Sequence, residues 1–98
     1  MQVKIHEAYR TIVVLCDTEL IGKYFSEGIM QIDIKENFFK GEEKNFKETV
    51  ELLKDMEKED ATFNIVGKES IKAALEAKII SKEGITNIQG IPVALVLM

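Results

Sequence analysis

The chain has 98 residues, of which 46% are hydrophobic and 31% are charged, with one proline and six glycines. This composition predicts one ordered globular domain over residues 1–98 and excludes a linker or a disordered tail. The formal net charge of −4 argues against a broad surface that binds nucleic-acid phosphates. The single cysteine favours a reducing, cytoplasmic compartment. The apolar runs are far shorter than the ~20 residues that span a bilayer.

The amino-terminal segment predicts an antiparallel hairpin. Val3 and Ile5 alternate with polar neighbours, which is the period-two pattern of a strand with one buried face. Residues 11–16 form a β-branched, apolar run, which indicates a strand covered on both faces. We therefore expect the second strand to lie inside the sheet and the first strand to lie nearer an edge.

A short helix and a third strand are predicted next. Asp17 is placed to cap a helix over residues 18–25, because a carboxylate there can accept hydrogen bonds from the free amides of the first turn. Gly28 ends that segment. Residues 30–34 alternate between apolar and polar side chains and predict a half-buried strand, and residues 37–41 predict a loop with an aromatic anchor.

Two amphipathic helices are predicted in the second half of the chain. Asn45 and Glu48 have the spacing of a capping box, and apolar residues recur at helical intervals from residue 46 to residue 56. Residues 62–66 predict a strand, and Gly67 leads into the second helix. The apolar face of that helix comprises Ile71, Ala74, Leu75 and Ile79.

The carboxyl-terminal segment predicts two extended pieces, residues 85–89 and 92–98, joined by a turn at Gly90 and Ile91. Strands and helices come in blocks and not in a strict βαβ alternation. The expected fold class is therefore α+β, a two-layer α/β arrangement: a mixed, mostly antiparallel sheet of five or six strands with two main helices and one short helix packed on it.

Gly67-Lys68-Glu69-Ser70 follows a predicted strand and opens a helix, as a phosphate-binding loop does. That motif also needs a glycine five residues before Gly67, where Thr62 stands. It needs serine or threonine directly after the lysine, where Glu69 stands. The sequence therefore favours a plain connection between strand and helix, and no cofactor is predicted.

Cys16 and His6 are the sole thiol and imidazole. If residues 8–11 form the turn, Cys16 pairs with Val3 and His6 pairs with Val13, which points their side chains to opposite faces of the sheet. One Cys and one His also cannot supply the ligands of a zinc site. We therefore predict no catalytic residue and no metal site.

Three polar residues remain as binding candidates, namely Asp17, Lys23 and Asn64. Each also has a structural explanation. Asp17 can be a helix cap, Lys23 an exposed helical lysine, and Asn64 a strand amide that forms hydrogen bonds with the neighbouring backbone. Asn64 stands within an apolar strand, where a polar side chain needs hydrogen-bond partners from the backbone or from a ligand.

The segment 16–28 (CDTELIGKYFSEG), with residues 64–67 (NIVG) and 88–94 (IQGIPVA), resembles a family of archaeal proteins of unknown function, DUF424. The similarity runs nearly end to end. The resemblance implies an archaeal cytoplasmic protein with an α/β fold, an association with translation and RNA processing, and no established catalytic residue. Many members have histidine after the late proline, where this chain has Val93, so an acid–base role of that position is in doubt here.

Two functional hypotheses follow. The first is a non-enzymatic binding or adaptor module that acts on a protein or ribonucleoprotein partner in translation or RNA processing, with Lys23 and Asn64 in contact and Asp17 holding the helix that presents Lys23. The alternative is a small ligand-binding domain or enzyme with a pocket built around Asp17, Lys23 and Asn64, which requires these side chains to converge on one cleft. Self-association through an exposed edge strand is compatible with either.

Overall fold

The computed structural model describes residues 1–97. The strands are β1 Gln2–His6, β2 Ile12–Cys16, β3 Tyr24–Glu27, β4 Met30–Asp33, β5 Glu42–Glu43, β6 Thr62–Val66, β7 Thr86–Ile88 and β8 Ile91–Val96. The helices are α1 Glu36–Phe39, α2 Phe46–Lys58 and α3 Lys68–Glu76, and two single 3-10 turns occur at Thr18–Leu20 and Lys82–Gly84.

Six strands form the main sheet in the spatial order β5-β1-β2-β6-β8-β7, and β3 pairs with β4 in a separate two-stranded sheet. The β2–β6 pair is parallel and the other neighbours are antiparallel. The expected α+β class, with a six-stranded, mostly antiparallel sheet, two main helices and a short one, is therefore confirmed, but the short helix is α1 and not the predicted segment 18–25. The predicted first hairpin is present, with β2 inside the sheet.

The larger core lies between one face of the main sheet and helices α2 and α3. Its sheet side chains include Val13, Leu15, Phe63 and Ile65, and Leu53 of α2 is fully buried against them. The predicted capping box of α2 is formed, since the Asn45 side chain accepts from the Glu48 N–H (2.8 Å) and the Glu48 side chain accepts from the Asn45 N–H (3.0 Å).

The opposite face of the sheet, here called the second face, is covered by the β3–β4 hairpin, α1 and the first 3-10 turn. Val14, Cys16 and Val66 of the sheet meet Leu20, Ile34 and Phe39 in this smaller core. These covering elements account for the alternation in residues 30–34 that predicted a half-buried strand.

Three local predictions were wrong. Residues 18–25 form one 3-10 turn and then enter β3, because Gly22 takes a positive φ of +86° that breaks a helix. The predicted loop at 37–41 contains part of α1. The last turn lies at Gln89 and Gly90, one residue earlier than predicted (φ +51° and +80°). Met98, part of the predicted strand 92–98, lies outside the described residues.

Candidate functional site

Asp17 binds the amino terminus of α3. Its carboxylate accepts hydrogen bonds from the Glu69 N–H (3.1 Å), the Ser70 N–H (2.8 Å) and the Ser70 hydroxyl (2.7 Å). The Asp17 side chain is buried, and its backbone N–H donates to the Val66 carbonyl at the end of β6. A carboxylate at this position satisfies donors that the helix itself leaves unpaired.

Gly67 makes room for that carboxylate. A Cβ atom at position 67 would lie 2.3 Å from the Asp17 Cγ, and the residue has a φ of +110°, which only glycine adopts cheaply. The Gly67 N–H donates to the Pro92 carbonyl, and the Gly67 carbonyl accepts from Ile71 in α3. The Gly67 carbonyl already accepts from Ile71, so it needs no second donor from β8. Proline has no backbone N–H, and it therefore fits at position 92 of β8, opposite Gly67.

The phosphate-loop hypothesis fails on this geometry. The Glu69 and Ser70 amides, which a bound anion would use, already donate to Asp17. An internal carboxylate therefore occupies the anion position. The junction of Asp17, Gly67 and Pro92 gathers one residue from each of the three sequence segments that carry the family resemblance, and its contacts fix the end of β6 to the start of α3.

The predicted role of Asp17 as the cap of residues 18–25 was wrong. Its side chain makes no hydrogen bond to the 3-10 turn that follows it. It caps a helix more than fifty residues later in the chain. Asp17 therefore does not hold a helix that presents Lys23.

Lys23 lies on the surface, where the first 3-10 turn leads into β3. Its backbone is fixed, because its N–H donates to Leu20 and its carbonyl accepts from Ile34 (3.1 and 2.9 Å). The side chain is exposed and forms no ion pair with any of residues 1–97. The ammonium group is thus available to a partner.

Asn64 lies on the second face, between Val14 and Leu95 of the neighbouring strands. Its side chain is half-buried and makes no hydrogen bond to the rest of the described chain. Asp17 binds α3, which packs on the other face of the sheet, and Asn64 precedes Gly67 by three residues, about 10 Å along the strand. Asp17 and Asn64 are therefore not brought together on one face of the sheet.

Cys16 and His6 share a face but not a site. The register pairs Gln2 with Cys16 and His6 with Ile12, one residue away from the predicted register. The prediction that the two side chains lie on opposite faces was therefore wrong. The two side chains lie at opposite ends of their strands, about 13 Å apart along them. Burial, with the charge of Asp17 second, raises the pKa of the Cys16 thiol to about 12, and the His6 Nε2 lies 2.9 Å from the Phe38 carbonyl. The thiol is therefore protonated at neutral pH.

The β3–β4 hairpin carries exposed apolar side chains that were not predicted from the sequence. Ile29 is fully exposed at the tip, Tyr24 is 55% exposed, and Met30 is also exposed. Gly28 supplies the positive φ (+62°) that a two-residue hairpin turn needs at its first position. A Gly-x pair between alternating residues is the signal that could have identified this hairpin.

The hairpin is tied to the body of the molecule through the β7–β8 turn. The Gln89 N–H donates to the Glu27 carboxylate (2.6 Å), and the Gln89 side-chain oxygen accepts from the Ser26 N–H (3.3 Å). On the outer face the Tyr24 hydroxyl donates to Gln31 (2.6 Å). The exposed apolar side chains are therefore presented by a fixed element and not by a loose loop.

Comparison with known proteins gives a family and a fold. The model of the family described as "Protein of unknown function (DUF424)" matches residues 6–98. The crystal structure of an uncharacterized conserved protein from Methanopyrus kandleri is similar with a TM-score of 0.86 and 17% identity, covering 99% of this chain and 92% of that protein. No curated protein matches the sequence. Among residues 1–97, no helix combines the length and the apolar character needed to cross a membrane.

Proposed function

This chain belongs to the DUF424 family, whose function is unknown, and we propose that it is a non-enzymatic binding module that docks on a protein partner through the β3–β4 hairpin. The observation that carries the proposal is Ile29, a large apolar side chain that is fully exposed at the tip of a fixed hairpin. Hydrating such a side chain costs free energy, whereas burying it in a partner contributes about 1.5–3 kcal/mol.

Other exposed side chains of the same hairpin support a protein interface: Met30 lies beside Ile29, and Tyr24 lies at the far end of β3. Tyr24 and Met30 belong to the types that are enriched in the buried centres of such interfaces, and both are exposed. Lys23 lies next to Tyr24 with its charge unpaired within residues 1–97. We expect Ile29 and Met30 to fill an apolar pocket of the partner and Lys23, at the other end of the hairpin, to contact an acidic group at the edge of the interface.

The charge of the hairpin favours protein over nucleic-acid backbone. Residues 23–33 contain one lysine and two acidic residues, and the whole chain has a formal charge of −4. Phosphate contacts need clustered Lys and Arg, which this surface lacks. The proposal therefore includes the protein component of a ribonucleoprotein, and the family resemblance suggests translation or RNA processing in the cytoplasm of an archaeon as its setting.

The test is capture of a stoichiometric partner from native lysate at moderate salt, after nuclease treatment, with three forms of the full chain. Wild type and Tyr9→Asp should retain the partner, and Ile29→Asp should lose it at least tenfold, because a carboxylate cannot enter an apolar pocket. Tyr9 is the matched control, since it is as exposed as Ile29 but lies in the β1–β2 loop, away from the hairpin.

Three results would contradict the proposal. One is the repeated absence of any stoichiometric partner of wild type. Another is equal loss of the partner with Tyr9→Asp and Ile29→Asp, which would place the contact elsewhere. Loss on nuclease treatment alone would indicate binding through RNA and would also contradict it.

A further inference from the structure

Part of the β8 edge has no neighbouring strand. β7 pairs with β8 only over residues 91–93. Beyond that point β8 has β6 on one side and, within residues 1–97, no strand on the other. Leu95 and Leu97, which share the second face, are 57% and 72% exposed there.

The backbone of this segment has groups available for pairing. The Gly67 N–H donates to the Pro92 carbonyl, and hydrogen-bonded positions alternate along an antiparallel ladder. Ala94 and Val96 therefore bond to β6. The N–H and C=O groups of Leu95 and Leu97 point away from β6, toward the uncovered edge.

The other edge of the sheet is protected, and this one is not. β5 covers Gln2 and Val3 of β1, and Lys4 places a charge on the next part of that strand. Residues 91–97 contain no charged side chain. Natural sheets use lysines, prolines and short covering strands to prevent edge pairing, and their absence after Pro92 leaves an edge that can pair.

We infer that β8 pairs antiparallel with β8 of a second copy of this chain, around a two-fold axis at Val96. In this register Leu95 of one copy lies opposite Leu97 of the other, so the outward N–H and C=O groups of both residues are satisfied. The four leucines meet on one face of a continuous sheet. β7 stays in place, because its pairing ends at Val93.

A second copy fits this edge better than other strand partners. Identical uncharged edges bring no like charges together, and pairing around a two-fold axis closes the assembly. Pairing of β8 with β1 of another copy would place Lys4 at the joint and extend without limit. The contact is smaller than the ~1,200 Å² of a standard interface, which predicts a weak dimer that forms at high concentration. This β8–β8 contact does not use the β3–β4 hairpin, so the inferred dimer goes beyond the proposed function.

The test uses the full chain in two measurements. Sedimentation equilibrium from about 1 μM to about 1 mM should give a monomer–dimer equilibrium. Hydrogen exchange should show a distinctive alternation: the Ala94 and Val96 amides are protected at every concentration, and the Leu95 and Leu97 amides become at least tenfold slower as the dimer fills.

Leu95→Lys and Leu97→Lys should each weaken the dimer at least tenfold, and Ile5→Lys, an exposed position on β1, should not. Exposed leucines tolerate lysine, and circular dichroism checks the fold of each variant. A monomer at all concentrations would overturn the inference, as would a dimer that persists in both leucine variants. Higher oligomers with new protection in β1 would do the same. None of these results bears on partner capture through Ile29.

Discussion

Replacing Asp17 with alanine should cost a large part of the stability of the fold. The change removes a buried carboxylate that accepts three hydrogen bonds at the start of α3. Loss of a helix cap costs about 0.5–2 kcal/mol. The Glu69 and Ser70 donors would also remain in a buried site without an acceptor, at about 1–3 kcal/mol. We expect a loss of about 3 kcal/mol in the free energy of unfolding.

That loss is large for a domain of this size, whose total stability is typically about 5–15 kcal/mol. At about 4–8 °C per kcal/mol, the melting temperature should fall by at least about 12 °C. Asp17→Asn should lose about half as much, because it keeps the shape and one acceptor oxygen but not the charge. Urea unfolding at pH 7 measures all three proteins.

Glu19→Ala is the control, since Glu19 is exposed in the adjacent 3-10 turn. We expect this change to alter stability by less than about 0.5 kcal/mol. If Asp17→Ala were no more destabilising than Glu19→Ala, the carboxylate would not be structural. A binding role for Asp17 would then return.

Two further changes test the same junction and the neighbouring core. Gly67→Ala should destabilise the protein by several kcal/mol or prevent folding, since the added Cβ would meet the Asp17 carboxylate. In the control Gly84→Ala the added Cβ meets nothing, and stability measured by urea unfolding should change by less than about 1 kcal/mol. Equal effects of the two changes would contradict the close packing of Asp17 on Gly67. Because burial raises its pKa to about 12, the Cys16 thiol should react with iodoacetamide at pH 8 only at the rate of unfolding, and rapid modification of the native protein would show that the thiol is accessible.

The features that could be predicted from the sequence are those whose determinants lie close together in the chain. The capping box of α2 needs only Asn45 and Glu48, three residues apart, and it forms as predicted. The apolar run of β2 marked a strand inside the sheet for the same reason. Local pattern therefore gave the main strands, both long helices and the α+β class.

The role of Asp17 could not be predicted in full, because its partners are distant in the sequence. A carboxylate before residues with helical propensity indicates a cap, and Asp17 is one. Which helix it caps depends on the parallel pairing of β2 with β6, which brings the end of β2 beside the start of α3. The helix predicted over residues 18–25 does not form, because Gly22 turns the chain into the β3–β4 hairpin.

The positions of Cys16 and His6 were sensitive to a single residue of register. The predicted turn at residues 8–11 is close to the observed connection between β1 and β2, yet a shift of one residue exchanges the faces of a whole strand. The exposure of Ile29, Leu95 and Leu97 could likewise not be predicted from the sequence. A continuous apolar run such as residues 93–97 predicts burial, and only the three-dimensional arrangement leaves Leu95 and Leu97 uncovered.

In the function proposed above, the protein acts by docking its β3–β4 hairpin on a protein surface. The most direct measurement is the affinity of the purified partner for wild type, Ile29→Asp and Tyr9→Asp by calorimetry. Hairpin docking predicts that Ile29→Asp weakens binding at least tenfold while Tyr9→Asp binds as wild type does. Equal affinity for wild type and Ile29→Asp would contradict it.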